Sequence, residues 1–435
     1  MQHSNSPLHS RALPLLALLF ATALTLPAFA QKGPVQPTSA AASVPVRITE
    51  PINEAQLVTL QRNTRSEANA RNDRGAVSDG FDIEHIFLLL QRSAEQEQEL
   101  DKLIDELNDR TSPNFHHWLT ANEFGQRFGV ALEDIETITN WLDLHGFRVN
   151  RVYPSRILID FSGTAGQLRE AFHTEIHQLE VNGEPHISNM SDPRIPAALA
   201  PVVKGIFSLN DFKPHPMYKP APQYTFAGCP SSADPDRPTE PGTCYAMTPQ
   251  DNQTIYNLNP LYSAGISGQG QTIVLVEDTD TYTPTGGTYA SDWNTYRSTF
   301  GLASAFPEGT YTQVHPGGCT DPGTNGDDGE AAIDVEVASA IAPSAAIELI
   351  SCESGTVTFG GLIALQNLIN ESGTPPAIVS VSYGVCEAFN GNGGNAAFYN
   401  ISNDVGRVKG HGLLFLSFAD TRIASAQTHW FLSRE

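Results

Sequence analysis

The stretch Gly326–Pro343, "GDDGEAAIDVEVASAIAP", sets two carboxylates four residues apart in a run otherwise made largely of Ala, Val and Ile. This pattern predicts a helix over 329–342, opened by the Asp327-Asp328-Gly329 turn, where the helix dipole favours acids. At 3.6 residues per turn Glu330 and Asp334 stack one above the other. Val337, Ala338 and Ile341 continue the same face, so both acids are expected to point into apolar surroundings. Burying a carboxylate is costly unless it has a partner or a task. Two carboxyls held close together cannot easily both ionise, so one keeps its proton and the other serves as a base.

Around this helix, apolar runs alternate with helical patterns. The predicted strands are "QTIVLVED" (271–278), "YTQVHP" (311–316), "AAIELIS" (345–351), "AIVSVSYG" (377–384) and "GLLFLSF" (412–418). The other predicted helices lie near 290–299, 357–370 and 393–405. Continuous apolar strands joined by helices imply a parallel sheet covered on both faces. Sites in such sheets form at the carboxyl ends of the strands. Here those ends carry Glu277 and Asp278, Ser382 to Gly384, and Asp420.

Upstream the pattern differs. Residues 31–80, rich in Pro, Ser, Ala and Asn, read as a loosely ordered lead-in. From Phe81 a strand (81–91) is followed by a helix with Leu100, Leu103, Ile104 and Leu107 on one stripe. A short helix follows, with Thr120 as N-cap and Glu123 three residues on, then a helix over 132–145 stopped by Gly146. Two strands, a helix at 165–174 and a further strand pair complete an α+β unit of ferredoxin-like character. A Pro-, Asp- and Gly-rich linker covers about 211–246.

A formal charge of −23 argues against nucleic acid or an anionic membrane as partner, since both demand Lys/Arg surfaces. Arg11 and the apolar run 12–30, ending Ala28-Phe29-Ala30, read as a signal peptide cleaved after Ala30. No later stretch is long and apolar enough to span a bilayer. Five cysteines in an exported chain read first as disulfides. Cys229 with Cys244 and Cys319 with Cys352 are possible pairs, with Cys386 left alone. No Cys/His spacing supports zinc, and His116 and His117 read as packing beside Trp118. Asp278 and Asp280 lack the Gly and terminal Glu of a calcium loop, so no metal ligand is assigned.

Together the motifs become specific. "SPNFHHWLTANEFGQRFG" (112–129) resembles the activation prosegment of the sedolisin (serine-carboxyl, kumamolisin-like) peptidases. "MTPQDNQTIYNLNPLYSAGISGQGQTIVLVED" (247–278) resembles the start of that family's peptidase domain, and "GEAAIDVEVASAIAP" its Glu-x-x-x-Asp catalytic helix. The resemblance runs from about 80 to 420. It implies an α+β ferredoxin-like prosegment followed by an α/β subtilisin-like parallel-sheet peptidase domain, in which Glu replaces His as the base acting on Ser. On this reading the chain divides into a signal peptide (1–30), a disordered lead-in (31–54), a pro-kumamolisin-type activation domain (55–210), a linker or processing region (211–246) and the first half of a peptidase domain (247–435).

Residue by residue, the resemblance makes Glu330 the general base, Asp334 the acid that orients it, and Glu277 a supporting acid of the same network. Ser382, Tyr383 and Gly384 match the edge whose backbone pairs with substrate as an added strand. Asp420 sits where the family commonly has Gly-Asp-Ser-Gly, whose Asp lines the oxyanion hole. Such an Asp must be protonated to donate a hydrogen bond, which ties activity to acid. The implied partners are a polypeptide substrate and the chain's own prosegment as intramolecular inhibitor.

The pattern then departs from the family. No Gly-Thr-Ser nucleophile motif occurs in the 435 residues, and Ala419-Asp420-Thr421 replaces Gly-Asp-Ser. The calcium expected of the complete family domain, near its carboxyl end, finds no site here either. The expectation is a secreted, acid-acting peptidase precursor, truncated before its nucleophile and inactive as it stands. The alternative is a non-catalytic protein whose prosegment serves a related peptidase as folding template or inhibitor.

Overall fold

The computed structural model describes residues 44–207, 209–216, 248–281, 292–371, 376, 378–385 and the backbone of 413–414. The signal segment, Cys229, Cys244, Cys386, the helix expected at 393–405 and Asp420 lie outside the described residues.

The amino-terminal part opens with strands β1 (Leu57–Thr59), β2 (Asp73–Ala76) and β3 (Asp82–Leu90). Helices α1 (Ala94–Asn108), α2 (Ala121–Phe128) and α3 (Leu132–Leu144) follow. Next come β4 (Arg148–Val152), β5 (Leu158–Thr164), α4 (Ala165–Phe172), β6 (Ile176–Val181), β7 (Glu184–Asn189), β8 (Arg194–Pro196) and β9 (Val203–Phe207). One antiparallel sheet runs β4-β5-β3-β9, another β2-β6-β7, and β1 pairs with β8. Local chemistry starts the helices: Ser93, Thr120 and Thr164 each form a complete capping box, with Gln96, Glu123 and Gln167 closing back. Gly146 ends the turn after α3 at φ +80°, a conformation that costs glycine little.

The loosely ordered lead-in needs correcting for residues 44–80. β1 and β2 are paired strands, and the buried carboxylate of Asp134 accepts backbone N–H bonds from Arg47 and Ile48 at 2.8–3.2 Å. These contacts lie 86 or 87 positions apart in the chain, so no local periodicity announces them.

The carboxyl-terminal part begins with β10 (His215–Pro216), α5 (Pro249–Ile255), α6 (Asn259–Ser263) and β11 (Thr272–Glu277). It continues through α7 (Asp292–Thr299), α8 (Leu302–Ala305), β12 (Thr310–Val314), α9 (Asp328–Ile341) and β13 (Ala346–Ser351). Last come α10 (Gly360–Ile369), β14 (Ile378–Val381), β15 (Tyr383–Gly384) and β16 (Leu413–Leu414). The expected parallel sheet is present, in the order β12-β13-β11-β14-β16. Helix α9 covers one face, where Ala331 and Val335 meet Leu275, Ile347 and Leu349. Helix α10 covers the other, against Val274, Val276 and Ile350.

Strand β3 explains how the two parts meet. Its side chains alternate: Ile86, Leu88 and Leu90 enter the core with α3 and α4, while Phe87 and Leu89 join the cluster containing Leu362, Ile363 and Leu365 of α10. The apolar run is continuous because both faces of the antiparallel sheet are buried. Polar bonds lock the seam. Asn367 Oδ1 accepts from Arg151 Nη1 (2.7 Å) and Tyr153 Oη (3.4 Å), and Asn370 Oδ1 accepts from the Ser155 amide (3.1 Å). The Cys319–Cys352 disulfide closes a span of 33 residues on the parallel-sheet side.

Candidate active site

The tip of β11 carries the most deeply buried acid of the site. Glu277 has no exposed surface. Its Oε2 accepts a 2.8 Å hydrogen bond from the hydroxyl of Tyr383, on β15, while its Oε1 has no conventional donor. Burial holds its carboxyl well above the usual carboxylate range, reinforced by the charge of Asp334 and opposed by the Tyr383 bond. A group so placed is kept neutral unless something repays its desolvation.

Helix α9 brings Asp334 to the same place. Asp334 is half-buried, accepts from Ser382 Oγ at 2.6 Å, and lies close enough to Glu277 for the two carboxyls to act on each other. Its pKa is raised by burial, against the lowering effect of Ser382 and Glu277. One turn earlier Glu330 is 4% exposed, and its charge contributes to raising Glu277. The sequence-predicted Glu330, Asp334, Glu277, Ser382 and Tyr383 therefore belong to one connected cluster. Contact between two carboxyls is possible only while a proton sits between them.

One expectation about α9 is overturned. Val337 and Ile341, read as continuing the buried face, are 37% and 39% exposed. The helix presents instead its Ala331, Val335, Ala338 and Ala342 stripe to the sheet. Small side chains there let the helix lie close to the strands, and the two acids fall at the border of that contact rather than in its centre. This border position leaves Asp334 partly accessible while Glu330 is buried.

Three further features go beyond what sequence reasoning assigned. Asp278 is 8% exposed, accepts from Ser354 Oγ at 3.0 Å and has an unpartnered Oδ1; burial raises its pKa. Tyr383 contributes its side chain, not only its backbone, to the acid cluster. Third, the edge formed by Tyr383 and Gly384 is already paired. His215 and Pro216, from the stretch read as linker, lie antiparallel to it in the register His215 to Gly384 and Pro216 to Tyr383. Two residues earlier, Lys213 interacts electrostatically with Asp278, and His215 does so with Asp327. No residue type in "KPHP" signals strand addition; only the distance to the edge does.

A second group of ligating side chains lies near the strand tips. Asp280, His315 and Asp321 hold their donor atoms within 4.8 Å of one another. Among the described residues no helix is long and apolar enough to cross a membrane.

Comparison with known proteins bears on both parts of the chain. Residues 70–212 match the family model described as Pro-kumamolisin, activation domain. The chain is similar to Kumamolisin of Bacillus sp. (strain MN-32), 26% identical over 339 residues that cover 76% of this chain and 56% of that protein. It is similar to Xanthomonalisin of Xanthomonas sp. (strain T-22), 29% identical over 219 residues, or 49% of this chain and 24% of the relative. Sedolisin of Pseudomonas sp. (strain 101) is 25% identical over 197 residues, 44% and 32% of the two chains. The matched regions thus span 56% or less of each relative's length.

Proposed function

We propose that this chain, which matches the Pro-kumamolisin activation domain over residues 70–212 and is similar to Kumamolisin, Xanthomonalisin and Sedolisin, is the precursor of a secreted, acid-acting serine-carboxyl endopeptidase of the sedolisin family. The observation that carries this reading is the buried acid cluster of Glu277 and Asp334, tied to the edge by Ser382 and Tyr383, with Glu330 one turn away on α9.

In the complete enzyme a Ser hydroxyl attacks the substrate carbonyl and Glu330 takes its proton. Asp334 orients and tunes that base, Glu277 holds the shared proton from behind, and Asp420 donates to the tetrahedral oxyanion. A cluster held largely protonated by burial reaches that state most readily in acid, which supports acid action. The 435 residues contain no Gly-Thr-Ser motif, so they are not expected to cleave peptides by themselves. The βαββαβ order of β3, β4, β5 and β9 with their helices supports the ferredoxin-like reading of the activation domain. The parallel sheet supports the subtilisin-like reading of the peptidase part.

The prosegment's part follows from β10. Residues His215–Pro216 occupy the edge that a substrate strand would use, so the precursor excludes substrate by strand competition. Calcium enters only through the family's carboxyl-end site. The Asp280, His315 and Asp321 cluster, the one found among the described residues, includes an imidazole and does not match an all-oxygen calcium site.

The test is to express the chain together with the coding sequence that follows the codon for Glu435, and to assay it against a denatured protein at about pH 4. Cleavage reduced about 100-fold or more in Glu330→Gln is expected. Cleavage indifferent to that change, or robust cleavage by the 435 residues alone, refutes the mechanism.

A further inference from the structure

Asp280, His315 and Asp321 come from three places: just past the tip of β11, just past the end of β12, and the loop leading into α9. His315 Nε2 lies 3.1 Å from Asp280 Oδ1 and 3.7 Å from Asp321 Oδ1. Ligands at zinc-type distances of about 2.0–2.2 Å in a tetrahedron stand roughly 3.4 Å apart. Two of the three donor pairs already meet that spacing within a few tenths of an ångström. The third pair, Asp280 with Asp321, lies within 4.8 Å.

The surroundings prepare these donors. Asp280 is 1% exposed, and Ser351 Oγ donates to its Oδ1 at 2.6 Å. Its backbone N–H donates to the Gly323 carbonyl at 2.8 Å, while the Gly323 amide donates to Asp321 Oδ1 at 2.8 Å. The Cys319–Cys352 disulfide fastens the same loop beside Ser351. Among the described residues no Lys or Arg forms an ion pair with Asp280 or Asp321, and the side chain paired with both is the imidazole of His315. A carboxylate buried this deeply needs compensating positive charge, and two carboxylates outnumber one imidazole.

We propose that Asp280, His315 and Asp321 bind a zinc-class divalent cation, with water completing its coordination. One imidazole and two carboxylates favour a borderline transition metal over calcium or magnesium. The ion ties the tips of β11 and β12 to the approach of α9, where Asn325 already donates to the Asp278 carbonyl and to Thr279 Oγ1. It therefore stiffens the segment that positions Glu330 and Asp334. This assignment does not depend on the peptidase reading.

The experiment uses the full 435-residue chain, freed of metal by a chelator and titrated calorimetrically with Zn²⁺ at pH 7.5. In parallel, Co²⁺ is followed by its visible absorption. One site is expected in the wild type that weakens at least tenfold in His315→Ala and in Asp321→Asn. Ser351→Ala, which removes a bond to a ligand rather than a ligand, is expected to weaken it about tenfold. Asp321 is exposed, so its substitution leaves the fold intact, as circular dichroism will verify. Zn²⁺ and Co²⁺ responses identical in wild type and Asp321→Asn overturn the proposal, as does a site at these residues that prefers Ca²⁺.

Discussion

Glu277→Gln isolates the buried acid on which the proposed chemistry rests. Glu277 is fully buried, and burial raises its carboxyl well above the usual carboxylate range. The folded state therefore binds a proton that the unfolded state releases. A raised carboxyl contributes its full stability below the unfolded pKa, and that contribution is lost as pH rises through the folded pKa. Each unit between the two values costs about 1.4 kcal/mol. Gln cannot ionise, yet its carbonyl accepts from Tyr383 and its amide donates to Asp334. Equilibrium urea unfolding at pH 4.5 and pH 7 measures the difference. The variant is expected to be close to wild type at pH 4.5 and to gain on it steadily as pH rises toward 7, by about 1.4 kcal/mol for each unit over which Glu277 stays protonated. Parallel stability curves for the two proteins over that range would refute the argument, because they would mean that Glu277 is not held neutral by burial.

Tyr383→Phe removes the hydroxyl that donates to Glu277 at 2.8 Å and is expected to cost about 1–3 kcal/mol in urea unfolding. That bond favours the ionised acid, so its loss should raise the pH at which Glu277 gives up its proton. Asn367→Ala removes the acceptor shared by Arg151 and Tyr153. About 1–3 kcal/mol of seam stability should go with it, seen as faster amide exchange along β3 and α10. Thr120→Ala breaks the capping box of α2, with an expected loss of about 1 kcal/mol read by urea unfolding.

The parallel sheet was legible because its strands are apolar throughout and its helices fall between them. The capping box at Thr120 and Glu123 was legible because its chemistry spans only three residues. Glu330 and Asp334 were legible as a pair for the same reason: one helical turn joins them. The depth to which each is buried was not. Counting along α9 put Val337 and Ile341 on the covered face, but the sheet accepts the Ala331 and Val335 stripe, and only the packing of strands against helix selects between faces.

The sequence alone determined which residues carry charge, that the capping box at Thr120 starts a helix, and that Glu277 ends an apolar strand. Tertiary structure decided the rest. It joined Tyr383 to Glu277 across 106 positions, set His215 and Pro216 on the Tyr383–Gly384 edge, and gathered Asp280, His315 and Asp321 from two loops. Local periodicity reflects backbone geometry over a few residues. Contacts between distant segments depend on which surfaces the whole chain buries, and no short window of sequence contains that information.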